Sequence, residues 1–186
     1  MIRINLALLI TVLLLSVVAY GEDPASEGDS LASVQASLQS DIPHVLCLDR
    51  NFATGGQPLN TAYAKLKASG YRSVLNLRTA EEGVNLEEEK SAVEKAGMRY
   101  VNIPVVSTAP APAQVKQFLV VVQDKTLQPM LIHCASANRV GAFWMIYRVL
   151  VQNWSVEKAL QEATQIGLKN PNLKKFALEY IDSRPK

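Results

Sequence analysis

The residues whose types and spacing could do covalent chemistry lie in one stretch, Leu131-Ile132-His133-Cys134-Ala135-Ser136-Ala137-Asn138-Arg139-Val140-Gly141. An apolar run ends on a histidine and a cysteine, four small or polar residues follow, and an arginine stands where a helix would begin. Backbone N–H groups of such a loop, together with a helix N-terminus, form a cradle for an anion. The same positive field favours the thiolate of a cysteine held in it, and the thiolate is the reactive form. Cys134 is therefore the candidate nucleophile, and Ala135, Ser136, Ala137 and Asn138 are the candidate anion-binding loop. Arg139 would clamp an oxyanion through two parallel hydrogen bonds. His133 is expected to orient the loop by bonding to backbone. Taken singly, Cys134 also reads as a buried structural cysteine and Arg139 as an ordinary helix-start residue; their joint placement favours the anion loop. Such chemistry calls for no cofactor, and two His and two Cys scattered along the chain lack metal-site spacing, so no metal is expected.

Alternating strand-like and helix-like segments surround this loop. Residues 45–48, 73–77, 100–103 and 129–133 read as strands, the last apolar throughout as suits one buried on both faces. Helices are expected over 61–69, capped by Asn60 with Gly70 at C′; over 85–96, stopped by Gly97; over 112–124, opened by Pro112; and over 139–152. Ser155 caps another, and Asn170-Pro171 opens the last. Residues 52–58, FATGGQP, read as a turn-rich loop because of the adjacent glycines, and 104–112, with three prolines, as a second loop. The alternation predicts an α/β fold, three-layer α/β/α, with a mostly parallel sheet of about four to five strands and helices on both faces. Ligands bind such sheets beyond the carboxyl ends of the strands, where residues 133–139 fall. Cys47 sits in an apolar run and reads as core; His44, beside Pro43, reads as surface or structural. Cys47 is also the only internal thiol with which Cys134 could pair, subject to Cα separation.

The His-Cys…Arg loop, taken with Thr54-Gly55-Gly56-Gln57-Pro58, residues 70–78, Glu81-Glu82, residues 96–105 and residues 140–144, resembles cysteine-dependent phosphatases of the tyrosine and dual-specificity type. In particular it resembles the bacterial phosphatase-like family that includes the phosphatase-like domain of beta-lactamase hydrolase-like proteins. The resemblance covers roughly residues 42–173. It implies a tyrosine-phosphatase-like fold and a substrate that is a small phosphorylated molecule or a phosphoprotein. It also implies that Cys134 attacks phosphorus to form a cysteinyl-phosphate, that Arg139 binds the equatorial oxygens, that a carboxylic acid protonates the leaving group, and that water then hydrolyses the intermediate.

Four features depart from that pattern. Classical tyrosine phosphatases place five residues between Cys and Arg, whereas four stand here, a spacing shared with members of the bacterial family and with rhodanese sulfurtransferases, whose loop holds a persulfide. Ala137 stands where related loops commonly have Gly; a positive φ there would cost on the order of 1 kcal/mol. Val140 follows Arg139 in place of Ser or Thr. Residues 102–123 contain no Asp or Glu, so Glu81 and Glu82, after the second expected strand, are the candidate general acids, with a solvated or helix-flanking charge pair as the alternative. Three functions stay open: a phosphatase, weak for want of its acid; a sulfurtransferase using a Cys134 persulfide; and a non-catalytic domain that binds an anion or a protein.

The 186 residues carry a net charge of +2, which gives no basic face for nucleic acid. The 48% hydrophobic content excludes a disordered chain. Part of it is concentrated in residues 1–21, where Arg3 precedes an apolar run over 6–19 and Ala19 and Gly21 have signal-peptidase spacing. These features predict a signal peptide cleaved near Gly21–Glu22, with a retained anchor helix as the alternative. An exported protein, periplasmic or secreted and free of the membrane after cleavage, is the expectation. Residues 22–40 are Ser-, Ala- and acid-rich and read as a disordered linker, at most weakly helical around 30–40, ahead of a phosphatase-like domain over 41–186.

Overall fold

Five short strands build the sheet: β1 Leu46–Asp49, β2 Phe52–Gly55, β3 Ser73–Asn76, β4 Arg99–Asn102 and β5 Met130–His133, in the order β1-β2-β5-β3-β4. The coordinates are a computed structural model that describes residues 24–184; the signal peptide expected over 1–21 lies outside the described residues. Strands β2, β5, β3 and β4 run parallel, and β1 returns antiparallel on the β2 edge. Among the described residues, seven α-helices accompany them: α1 Pro24–Leu38, α2 Thr61–Ala68, α3 Leu86–Lys95, α4 Pro112–Gln123, α5 Asn138–Leu150, α6 Val156–Ile166 and α7 Pro171–Asp182. None is long and apolar enough to cross a membrane.

The pleat sorts side chains into two cores. In β5, Met130 and Ile132 join Val115, Phe118 and Val122 of α4, most of α5, and the inner faces of α6 and α7. Leu131 points the other way, with Leu38 of α1, Ala62, Tyr63 and Leu66 of α2, and Val93 of α3. Both faces of β5 are thus covered, which explains its unbroken apolar sequence. Each such fully buried side chain contributes roughly 1.5–3 kcal/mol. This is the expected three-layer α/β/α arrangement with a mostly parallel sheet.

Local signals explain most boundaries. Asn85, Ser155 and Asn170 accept N-terminal amides at the starts of α3, α6 and α7. Gly70 and Gly97 take the left-handed conformation just past α2 and α3 (φ 88° and 79°). Three expectations need correction. Residues 52–55 are not a turn: β2 is fully buried between β1 and β5. Its glycine serves close packing, since a Cβ on Gly55 would run into Ile42 Cγ2. Nor is the stretch before residue 41 a disordered linker, because α1 occupies 24–38. Val34, Leu38 and Ile42 recur four apart and pack on the α2–α3 core, a stripe too sparse to stand out in a polar segment. Asn60 does not cap α2 with its side chain; it is already helical, and the Thr61 hydroxyl donates to Asp41 instead.

Candidate active site

β5 delivers His133 and Cys134 to the carboxyl edge of the sheet, between β2 and β3. The loop that follows is moored on both neighbours. The Leu77 amide donates to the His133 carbonyl (2.9 Å), and the Gln57 amide donates to the Ala135 carbonyl (3.2 Å). Gly56 and Ser136 form an isolated bridge, and a Cβ on Gly56 would stand 3.0 Å from the Ala135 carbonyl. Cys134 is 1% exposed.

Ala137 completes the loop at φ 62°, ψ 0°, the left-handed conformation in which an alanine pays a Cβ penalty, and it is the N-cap of α5 without a capping side chain. An alanine held there costs on the order of 1 kcal/mol. A helix start without a cap leaves its first amides to another acceptor, and an anion is the natural one. The Asn138 side chain anchors the loop from outside. Its Oδ1 accepts the amides of Lys169 (2.8 Å) and Asn170 (2.9 Å), so the side chain ties the loop to the α6–α7 connection. One turn on, a Cβ on Gly141 would lie 2.7 Å from the Ala163 carbonyl, so α5 and α6 touch backbone to backbone.

Arg139 is buried, and both its Nη atoms are engaged. Nη1 donates to the carbonyls of Leu77 (3.1 Å) and Val105 (2.8 Å) and to Glu82 Oε1 (2.5 Å); Nη2 donates to Glu82 Oε2 (2.7 Å). Burial opposes its charge, but Glu82 and the neighbouring Cys134 sulfur raise its pKa above the ordinary arginine value. Glu82 also accepts from the Thr79 amide (2.9 Å) and Arg78 Nε (3.0 Å). Arg139 above all holds the Glu82 carboxyl at a pKa of about 2. Glu82 is therefore the counter-ion of Arg139, not a proton reservoir. Glu81 is exposed, and its own amide and the Thr79 hydroxyl keep its pKa below the usual carboxylate range. Both shifts favour the carboxylate form.

His133 is completely buried, and its ring does not bond to backbone as expected. Nε2 lies 3.2 Å from Glu89 Oε1, off the hydrogen-bonding direction, and neither ring nitrogen has a hydrogen-bond partner among the described residues. Glu89 is the functional candidate that sequence reasoning missed. It accepts the Tyr63 hydroxyl (2.7 Å), Gln57 Nε2 (2.7 Å) and the Tyr100 hydroxyl (3.0 Å), and Asn76 Nδ2 as well. Burial pushes its pKa up, yet His133 and these donors bring it to about 2. One sequence signal was available: Glu89 stands on the same helical stripe as Leu86 and Val93, where an acid is out of place without partners. Arg78 Nη1 donates to Gln57 Oε1 (2.9 Å), which links the two clusters. A continuous polar chain thus runs Arg139–Glu82–Arg78–Gln57–Glu89–His133 and returns to the residue beside Cys134.

Cys47 and Cys134 are both free, and the sheet separates them: Cys47 packs with the α1–α3 face and Cys134 with the α4–α7 face. No disulfide joins them in this fold. His44 is exposed, as read from the sequence. Among the described residues no group of three or more His, Cys, Asp or Glu is placed to hold a metal ion.

A mostly parallel sheet ending in a Cys-x4-Arg loop at a helix N-terminus fits the bacterial phosphatase-like class, and the family match shows that class directly. The chain belongs to the family described as "DSP-PTPase phosphatase fused to NAD+ Kinase", whose model matches residues 30–179. Its sequence is 28% identical over 109 residues to the beta-lactamase hydrolase-like protein of Xylella fastidiosa (strain Temecula1), covering 57% of this chain but only 25% of that protein. It is 28% identical over 97 residues to the dual specificity protein phosphatase TpbA of Pseudomonas aeruginosa (strain UCBPP-PA14), covering 51% of this chain and 44% of TpbA. The chain thus spans less than half the length of either relative. The fold matches a cysteine-to-serine variant of P. aeruginosa TpbA solved in complex with phosphotyrosine (TM-score 0.60, 20% identity, 75% of this chain and 83% of that one). It also matches the catalytic core of the PP-IP phosphatase Siw14 of S. cerevisiae (TM-score 0.66, 17% identity, 77% and 88%).

Proposed function

We propose that this protein hydrolyses a phosphate monoester through a cysteinyl-phosphate on Cys134. The observation that carries this reading is the buried Arg139, held by Glu82 and by the carbonyls of Leu77 and Val105 next to Cys134 and to an uncapped helix start. A fixed cation and free amides next to a cysteine favour a dianionic phosphoryl group over a neutral substrate. In the first step an Sγ–P bond forms as the P–O bond to the leaving group breaks, and the electron pair departs with that oxygen. In the second step water attacks phosphorus, the P–S bond breaks and the thiolate returns. The relatives support a small phosphorylated molecule or a phosphoprotein as substrate: TpbA was crystallised with phosphotyrosine, and Siw14 is described as a PP-IP phosphatase.

The test is release of inorganic phosphate from an activated aryl phosphate, run beside thiosulfate-to-cyanide sulfur transfer, with Cys134→Ser and Arg139→Ala as controls. Phosphate release by the wild type that is lost in both variants is expected. Release unchanged in Cys134→Ser, or sulfur transfer in its place, would overturn the reading. We also propose that residues 1–21 direct export, on their charge and apolar pattern. Protein recovered from outside the cytoplasm should begin near Glu22, and an uncleaved cytoplasmic product would contradict export.

A further inference from the structure

We infer that Gln57 is a positioning residue that sets the Arg139 guanidinium against Cys134, its backbone holding the loop and its side chain holding the clamp. This role rests on the phosphatase reading of the site and deepens it by naming a residue, away from the reacting atoms, that governs its geometry. Gln57 follows β2, in the stretch over residues 54–58. Its amide donates to the carbonyl of Ala135, the residue after the nucleophile (3.2 Å). The backbone on either side is tied down as well. The Gly56 amide donates to the Pro43 carbonyl (2.7 Å), and the Leu59 amide donates to the Asp41 carbonyl (2.8 Å). The Gln57 side chain is therefore aimed from a base that is fixed to the loop.

That half-buried side chain reaches both polar clusters. Its Oε1 accepts from Arg78 Nη1 (2.9 Å), and its Nε2 donates to Glu89 Oε1 (2.7 Å). A primary amide suits the place because it offers an acceptor to a cation and a donor to a carboxylate at once. Arg78 carries the constraint onward. Its backbone is held independently, the amide donating to Asn76 Oδ1 (2.7 Å) and the carbonyl accepting from Asn102 Nδ2 (3.0 Å). What Gln57 governs is the direction of the Arg78 guanidinium, whose Nε donates to Glu82 Oε2 (3.0 Å) and whose Nη2 donates to the Glu82 carbonyl (3.3 Å). Glu82 Oε2 also accepts from Arg139 Nη2 (2.7 Å), so a turn of Arg78 pulls on the carboxylate that orients the clamp. Catalysis is sensitive to such displacements, a shift of about 1 Å costing about 10²-fold. Glu89 keeps its donors from Tyr63, Tyr100 and Asn76 when Gln57 is replaced, so the fold around it is retained.

The experiment compares Gln57→Leu, Arg78→Met and the double variant in kcat and KM on one activated aryl phosphate. Alkylation of Cys134 by iodoacetate and by iodoacetamide, read by peptide mass, is run beside it, with denaturant midpoints as a measure of folding. Gln57→Leu should lower kcat about ten-fold and leave KM within about two-fold, because the loop amides still hold the anion in the ground state. The rate of iodoacetate relative to neutral iodoacetamide should fall at least about three-fold, since the anionic reagent depends on an oriented guanidinium. Adding Gln57→Leu to Arg78→Met should cost less than about two-fold more, because both changes remove the same link. Losses that multiply in the double variant would overturn the inference. So would a Gln57→Leu protein with unchanged kcat and alkylation ratio, whether or not its midpoint falls. Gln57→Asn, which keeps the amide but is too short to reach both partners, replaces Gln57→Leu if the latter does not fold, with the same losses expected. Failure of the wild type to hydrolyse the ester would count against the phosphatase reading, while the alkylation ratio would still decide the role of Gln57.

Discussion

Arg139 and Glu82, 57 residues apart in sequence, meet through two parallel hydrogen bonds, Nη1 to Oε1 and Nη2 to Oε2, at 2.5 and 2.7 Å. The pairing fixes the plane of the guanidinium at the edge of the loop and converts Glu82 from a candidate acid into a structural anion.

Replacing Glu82 by Ala leaves a buried guanidinium with only backbone carbonyls and the Cys134 sulfur beside it. The cost should be on the order of 2 kcal/mol, below the ~3–5 kcal/mol of a fully buried pair because Glu82 is itself partly exposed. A larger effect is expected in kcat/KM, a loss of about 10²-fold, since a small rotation of Arg139 misplaces the guanidinium against a phosphoryl group in the loop. Denaturant midpoints and steady-state kinetics on one aryl phosphate measure the two separately. Unchanged kinetics would show that Arg139 needs no counter-ion to keep its orientation.

Ala137→Gly should stabilise the protein by up to about 1 kcal/mol, because glycine adopts φ 62° without the Cβ penalty. For a domain of this size that is a rise of roughly 2–4 °C in Tm. Ala137 is fully buried against Gly167, where an added Cβ would come within 3.1 Å of the Ala137 methyl. A drop in Tm would mean that this methyl contact outweighs the backbone strain.

Gly141→Ala tests the seam between α5 and α6. The new methyl would lie 2.7 Å from the Ala163 carbonyl and 2.9 Å from Leu168 Cβ, so the helices must part. A loss of about 1–3 kcal/mol is expected, together with weaker turnover because α5 begins at the loop. Calorimetry with a parallel activity assay reads both.

The acid limb of stability should belong largely to Glu82 and Glu89, with Asp41, held to about 2 by Lys65 and Thr61, beside them. Glu82 and Glu89 titrate near 2 in the folded protein against 4.5 for a free glutamate. The unfolded chain therefore binds protons first as the pH falls. The stabilisation is complete above the unfolded value and is lost progressively between about pH 5 and pH 2. Urea midpoints at pH 7, 5 and 3 should decline over the last interval. Glu89→Gln should begin lower at pH 7 and decline less; a parallel decline would remove Glu89 from the account.

Much of this was legible from local signals. The apolar run that ends at Cys134 marked both the central strand and the reactive loop, and Ser155 and Asn170 announced their helices because capping involves only neighbours in sequence. That related loops commonly carry Gly at residue 137 flagged a backbone that could need a positive φ, and Ala137 has one. What escaped depends on partners distant along the chain. Gly55 and Gly56 looked like turn residues because nothing local reveals Ile42, Pro43 and Ala135 pressing on them. Glu82 looked like a free acid because its cation lies across the sheet edge, and Glu89 was passed over because Tyr63, Tyr100 and Gln57 converge on it only after folding.

The sheet that keeps Cys47 from Cys134 also sets the chemistry of damage. Oxidation of Cys134 to a sulfenic acid would leave it with no thiol inside the described fold to condense with, so the route back must come from a small-molecule or protein reductant reaching the loop mouth. If none arrives, the sulfur is free to proceed to the sulfinic state, which is ordinarily irreversible. A nearly enclosed Cys134, 1% exposed, is then as much a shield against peroxide as a feature of catalysis.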